Sequence, residues 1–535
     1  MWPQPLAPVH SLSVSALVAA IPLVVVLLFM GGLRRSGLFS SACGLVSAGI
    51  LAALVWRMPV SLAFWSVGYG FVYAFWSILW IVFNGLWLYN LTVDTGKFDL
   101  LRRWVIQHAS RDACIQAILV AFCFGALLEG SAGFGAPVAI TAFLLLQLGF
   151  EARRSVVVAL IANTAPVAFG ALGIPIVALA GVTGLELAKL SSMVGRQLPF
   201  LSLVLPAYLV LVIEGRKGWR RTWPAAMVAG SSFALAQFAI SNFWSPYATD
   251  IVASLVSMAA VVAFLRFWKP APQLARESSA TFSQAKPSAV RLSAREAAAA
   301  WLPWAWLSIV MILWSYFGLF RRGQITIHIP HLHNGVFISL YGKPYAAAYG
   351  FQPLAAGSAV LAAIVLTALS FRVPPRVLVR CAATTLRQLR VPGLTVLIIV
   401  GLAYLYNYSG MAYTVGAALA AVGVAFPFVS SFLGWIACFL SGSDTSSNLL
   451  FGNLQVAAAH QLHLNPVLLA ATNSSGAVTG KMISPQNIAI GVTTVGLVGQ
   501  EGRVLHKTFW HSVLLAALIG LLACAQAYLV RGMVP

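Results

Sequence analysis

The chain has 535 residues, of which 60% are hydrophobic and 8% charged. A soluble chain averages about 25% charged residues, so water cannot solvate this surface and lipid must cover most of it. The formal net charge of +21 would suggest nucleic acid in a soluble domain, but the cations lie in loops between apolar runs, the positive-inside pattern of a membrane protein; a lipid bilayer is expected as partner, and nucleic acid is not.

One membrane crossing needs roughly 20 apolar residues. Runs of that kind cover residues 11–30, 37–56, 198–213 and 392–408, among others. Backbone polar groups in lipid must be satisfied within their own segment, so these runs are helices. The whole chain reads as an all-α polytopic membrane protein with twelve to fourteen transmembrane or re-entrant helical segments.

No Lys or Arg precedes Arg34, so the first apolar run lacks the basic leader of a cleaved signal peptide. Arg34 and Arg35 follow that run, which places the N-terminus outside and the first loop in the cytoplasm. The basic stretches 97–111, 216–221, 266–295 and 372–390 fit the same frame. The segment 266–298 is rich in Ser, Ala, Pro and Arg and reads as a flexible cytoplasmic linker. It divides the chain into an N-terminal transmembrane half, 1–265, and a C-terminal half, 299–535. The last run ends near Arg531, which puts the C-terminus outside as well. One loop resists the pattern: Arg321, Arg322 and Lys343 flank a polar segment that the alternation places outside.

Six cysteines are scattered with no CxxC pair, so neither a disulfide frame nor a zinc site is expected. His328, His331 and His333 share one loop without a nearby Cys or acidic ligand, and read as a polar loop. No cofactor or metal is expected.

The two halves resemble each other where they are least regular. The first half carries Glu129-Gly-Ser-Ala-Gly-Phe-Gly135 and Asn163-Thr-Ala-Pro166. The second carries Ser441-Gly-Ser-Asp-Thr-Ser-Ser447 and Asn473-Ser-Ser-Gly476. Ser131 and Asn163 are 32 residues apart, Ser443 and Asn473 are 30 apart. Matching breaks in two hydrophobic halves point to a transporter site. Gly, Ser, Thr and Asn break or cap helices, and broken backbone survives in a bilayer where protein or an aqueous cavity satisfies it. A helix starting mid-membrane offers free N–H groups and a positive dipole end to an anion. Close helix packing through small residues is the competing explanation.

Of the twelve acids, most stand beside loop cations and read as solvated; Glu186 and Asp250 sit near expected helix ends and rank low. Glu129 and Asp444 lie inside interrupted apolar regions with no cation close in sequence, and an intramembrane acid is by default a functional hypothesis. Lys481 is the matching buried cation. Arg196 is a second candidate anchor, or else an arginine that snorkels to the interface.

The strings Leu128-Glu-Gly-Ser-Ala-Gly-Phe-Gly-Ala-Pro-Val-Ala-Ile140, Asn163-Thr-Ala-Pro-Val-Ala-Phe-Gly170, Gly195-Arg-Gln-Leu-Pro-Phe200, Gly442-Ser-Asp-Thr-Ser-Ser-Asn448 and Val478-Thr-Gly-Lys-Met-Ile-Ser-Pro-Gln486 resemble the signature segments of the bacterial L-lactate permease family, in order, from about residue 10 to the C-terminus. The resemblance implies proton-coupled uptake of L-lactate, D-lactate and glycolate at the inner membrane. It also implies kinship with the ion-transporter superfamily, built from inverted repeats with re-entrant hairpins. Two departures are visible: Asn487 stands where the family often has Ser, and the 321–349 loop is shorter.

The leading expectation is therefore a secondary symporter of small monocarboxylates and protons, with a sodium-coupled carrier of another small carboxylate as the alternative. An enzyme is not expected: no acidic pair of the kind that holds magnesium pyrophosphate is present, and no GxxxxGK[ST] loop for ATP. A passive channel fits the paired breaks and buried charges less well than a carrier. Substrate-binding candidates are Lys481, Ser131, Asn163, Arg196, Ser443, Thr445, Ser446 and Asn473; proton-coupling candidates are Asp444 and Glu129. Lys481 is expected to pair with Asp444 in the empty carrier and to be released when Asp444 is protonated.

Overall fold

The computed structural model describes residues 1–33, 35–108, 112–133, 135–270 and 292–535, with His108 described in its backbone alone. Among these, ten helices are long and apolar enough to cross a membrane. The bent pair Ala152–Ala162 and Val167–Thr183, turned by 69°, can be counted with them, and the shorter apolar helices Ala136–Gln147 and Ala356–Ser370 join the bundle. The protein is a multi-pass helical membrane protein.

Local chemistry sets the helix starts. Ser11, Ser36 and Ser293 accept hydrogen bonds from backbone N–H groups of the first turn, and Ser293 forms a reciprocal capping box with Glu296. Each satisfies a donor that the helix leaves open. Pro137, Pro427, Pro466 and Pro485 stand in the first turn of their helices, where the missing N–H costs nothing. The long helix Leu198–Phe243 folds back on itself at Gly215, whose φ of 62° and ψ of −150° suit glycine. Gly230 then lies so close to Leu203 that a Cβ there would sit 2.2 Å from its carbonyl oxygen.

The helix Ala113–Ser131 occupies the middle of the bundle. Its apolar window is 94% buried, against 28–56% for the other nine. The others show one face to lipid; this one is enclosed by protein all round, and Glu129 sits near its end.

The loop that resisted the charge pattern carries β-structure. Ile325–His328 pairs antiparallel with Ala348–Phe351, and Val336–Ile338 pairs with Lys343–Pro344. Trp2–Pro3 adds parallel to Val336–Phe337. These pairs satisfy backbone groups outside the helices and fasten the N-terminus to this cap. The C-terminus reaches the same face. Arg196 donates to the Met533 carbonyl and to Asn242, and Ser315, at the end of the helix leading into the cap, donates to the Trp244 carbonyl. The 23-residue helix Ala294–Tyr316 separates the cap from the linker side, where the Leu292 N–H donates to Gln107.

Helices run on to Phe267 and restart at Ala294, so both ends of the 266–298 segment are helical. Residues 271–291 of that linker lie outside the described residues. Two acids expected to be solvated are not. Arg221 lies 2.6 Å from Asp112 and 2.6 Å from Glu214, and the acid side chains are 6% and 10% exposed. The turn at Gly215 brings the three together, which the order of the chain does not reveal.

Candidate substrate and proton site

Both halves contribute broken helices. After Ala152–Ala162 the chain passes through Asn163, a single 3-10 turn at Val167–Phe169, and three left-handed residues: Ala171 (φ 44°), Leu172 (φ 62°) and Gly173 (φ 71°). Left-handed backbone costs about 1–2 kcal/mol per non-glycine residue, so the bend is imposed by its surroundings. Gly173 abuts the Pro246 carbonyl, where a Cβ would come within 2.7 Å. In the second half, Gly442 closes Phe426–Ser441 in the left-handed conformation and Ser443 caps Asp444–Gln461 by accepting from the Ser446 N–H at 3.3 Å. Pro466–Gly480 gives way to a 3-10 turn at Lys481–Ile483, and Ser484 caps Pro485–Thr494.

The stretch Asn473–Gly476 was expected to be a break and is continuous helix. Gly434 and Gly476 serve close packing: a Cβ at Gly434 would lie 2.0 Å from the Asn473 carbonyl oxygen, and one at Gly476 2.1 Å from that of Ser431. Small residues bring two helix backbones together here, and the break falls later, at Lys481.

Three helix ends converge at the centre. Glu129 lies near the end of Ala113–Ser131, Asn163 closes Ala152–Ala162 and Lys481 closes Pro466–Gly480. Lys481 Nζ is 2.7 Å from Glu129 Oε1, and Asn163 Nδ2 donates to Glu129 Oε2 at 3.0 Å. Each carboxylate oxygen has its own donor. Glu129 is 3% exposed and Lys481 7%, so the pair is removed from water and strongly coupled. Helix C-termini favour cations, which suits Lys481 and leaves Glu129 dependent on it. Gly170 makes room: a Cβ there would lie 2.7 Å from Glu129 Oε1.

The expected ion pair between Lys481 and Asp444 is therefore corrected. Asp444 stands in the first turn of its helix and accepts from Ser474 Oγ at 2.8 Å through Oδ2, while Oδ1 meets no partner among the described residues. Lys481 projects from the end of another helix toward Glu129. Asp444 still lies within the electrostatic reach of both Lys481 and Glu129.

The other candidates spread out. Ser443, Thr445 and Ser446 are partly exposed at the start of Asp444–Gln461. Ser131 Oγ turns back to the Leu127 carbonyl. Asn473 belongs to a buried amide chain, accepting from Gln455 at 3.1 Å and donating to Asn448 at 3.0 Å, and Asn448 donates to the Pro175 carbonyl at 3.1 Å. That chain ties the second half to the helix after the first bend. Arg196 is held by Asn242 and Met533 at the face of the termini, away from the central pair.

Sequence reasoning passed over Asp250. It is 1% exposed and packs beside Gly130, where a Cβ would come within 3.0 Å of the Asp250 Cβ. The signal was present: between Arg221 and Arg266 no Lys or Arg stands near it.

Comparison with known proteins completes the picture. The family model described as L-lactate permease matches residues 15–530. The chain is 41% identical over 555 residues to the glycolate permease GlcA of Escherichia coli (strain K12), covering 99% of each chain. It is 40% identical over 551 residues to the L-lactate permease of Salmonella typhimurium (strain LT2), covering 100% of each. Among solved structures it is similar to the YdaH transporter of Alcanivorax borkumensis, at a TM-score of 0.45 and 15% identity, with 86% of this chain and 87% of that one covered.

Proposed function

The chain belongs to the L-lactate permease family, and we propose that it is a secondary transporter of lactate, in both L and D forms, and glycolate, working by proton symport in a bacterial inner membrane. One observation carries the reading. Glu129 occupies a cation and an amide donor, Lys481 and Asn163, one on each oxygen. That is the recognition a monocarboxylate needs, and here an internal carboxylate holds it.

Substrate and Glu129 then compete for the same two donors. A buried carboxylate is costly unless paired or hydrogen-bonded, so the substrate cannot enter while Glu129 keeps Lys481. Protonating Glu129 removes its charge and frees Lys481. The lactate carboxylate takes the lysine, and the hydroxyls of Ser443, Thr445 and Ser446 stand at a helix start that can meet the remaining polar groups. One proton and one anion load together, leaving the buried charge unchanged. Asp444 is the second candidate proton carrier, since one of its oxygens has no partner among the described residues.

Counterflow of labelled lactate in proteoliposomes, with an imposed pH gradient and a panel of competing acids, tests this. Accumulation should follow the inward proton gradient and be competed by glycolate. Accumulation that follows sodium instead would turn the reading to a sodium-coupled carrier. No accumulation of either acid would remove it.

A further inference from the structure

We propose that Asp250 is the station through which a proton reaches Glu129 from the face that carries both termini. The proposal rests on the proton-symport reading above and adds the route.

Position comes first. Asp250 stands at the start of the helix Thr249–Phe267, whose beginning lies toward the cap: Tyr247 packs against Phe320 with ring centroids 5.2 Å apart, and the Trp244 carbonyl accepts from Ser315. Tyr247 also lines a cavity of about 340 Å³ between the cap residues Ala348–Gly350 and the helix residues Val177 and Gly181. Asp250 itself packs against Gly130, the residue after Glu129. It thus stands three residues after a cavity-lining tyrosine and against the neighbour of the central ion pair.

Partners come second. Asp250 Oδ1 accepts from Gln237 Nε2 at 3.2 Å, and Gln237 in turn accepts from Ser202 at 2.7 Å. Oδ2 is buried and has no partner among the described residues. Among the described residues no Lys, Arg or His forms an ion pair with Asp250. The helices packed against it bring Gln237 and Ser202, both neutral, and Glu129, the charged group whose field acts on it. Tyr247 is the nearest other titratable side chain in sequence. An ionised carboxylate buried without a cation costs several kcal/mol, and a second carboxylate nearby adds to that. A proton held on Asp250 removes that cost and gives the carboxyl one to pass on.

Loading begins with the proton: the O–H bond at Asp250 breaks and an O–H bond forms at Glu129, which frees Lys481 for the substrate carboxylate. Asp250, left ionised, takes the next proton from water on the side of the termini. When the substrate leaves on the other side, Glu129 gives its proton to water there and Lys481 returns to it. Per cycle one proton enters with one anion, and nothing else is consumed.

The test compares wild type, Asp250→Asn and Asp250→Glu in proteoliposomes. An amide cannot release a proton. In Asp250→Asn, pH-gradient-driven accumulation of lactate should fall by about 100-fold, the low end for losing a positioned proton-transfer group. Counterflow at equal pH should fall far less, because loaded-carrier exchange needs no new proton. Asp250→Glu keeps a carboxyl and should recover accumulation with a displaced pH profile. Infrared spectra of the purified protein should lose a protonated-carboxyl band in Asp250→Asn. Wild-type accumulation and proton-to-lactate ratio in Asp250→Asn would overturn the proposal, as would equal loss of counterflow and accumulation in both variants. A wild-type protein that ignores the proton gradient would instead overturn the symport reading itself.

Discussion

Lys481 and Glu129 are 352 residues apart in the chain and 2.7 Å apart in the fold. The pair joins the end of a second-half helix to the most enclosed helix of the first half. It sets the energetics of the site, because a buried charge that loses its partner costs about 3–5 kcal/mol, whereas losing both charges can be neutral.

Glu129→Gln should therefore destabilise the detergent-solubilised protein by about 3 kcal/mol, since Lys481 stays charged without a counter-ion. Adding Lys481→Met should restore most of the lost stability. It should not restore lactate binding, because the substrate carboxylate would then lack its cation. Thermal unfolding and isothermal binding on the two variants check both halves. Wild-type lactate affinity in a well-folded double variant would remove Lys481 as the anchor.

Asp444 has a different expected signature. Ser474 is its hydrogen-bond partner and its other oxygen has none, so Asp444→Asn keeps the shape and should change stability by only about 1 kcal/mol. With Glu129 carrying the one proton, the proton-to-lactate ratio, followed with a pH-sensitive dye during uptake, should stay the same, and a fall would make Asp444 the carrier instead. An unchanged ratio would leave Asp444 a structural residue.

Two glycines separate function from packing. Gly170→Ala would place a methyl group 2.7 Å from Glu129 Oε1, displacing the carboxylate from Lys481. Transport should drop more than stability. Gly476→Ala would press on the Ser431 carbonyl at 2.1 Å and should cost about 1–3 kcal/mol as overpacking, with lost folded yield and lost transport in step. Parallel thermal-unfolding and uptake assays distinguish the pair.

Orientation follows from the distribution of Lys and Arg. In a variant lacking other cysteines, Thr326→Cys on the exposed strand of the cap should react with an impermeant thiol reagent in intact cells. Ala294→Cys beside the linker should react only after the membrane is opened. The reverse pattern would invert the topology.

Much of this was legible in the sequence. A composition with so few charges demanded lipid, and apolar runs of crossing length demanded helices. The breaks near Glu129, Asn163, Ser443 and Lys481 announced themselves through Gly, Pro, Ser and Asn, which act locally on the backbone. Asn473–Gly476 misled for the same reason: glycine also lets two helices approach, and a string of letters does not say which use it serves. The cap at 317–355 was visible as an anomaly in charge and no more, because its strands pair across distance and with the N-terminus.

The sequence by itself determined the membrane setting, the helical segments, the interrupted helices and the residue types able to bind an anion or a proton, because each depends on composition or on neighbours within a few positions. Tertiary structure alone decided which charges meet. It gave Lys481 to Glu129 instead of Asp444, set Arg196 at the face of the termini, tied Asp112 and Glu214 to Arg221 and buried Asp250 beside Gly130. Those outcomes depend on the rotation and depth of each helix against distant ones, which many weak packing contacts fix together.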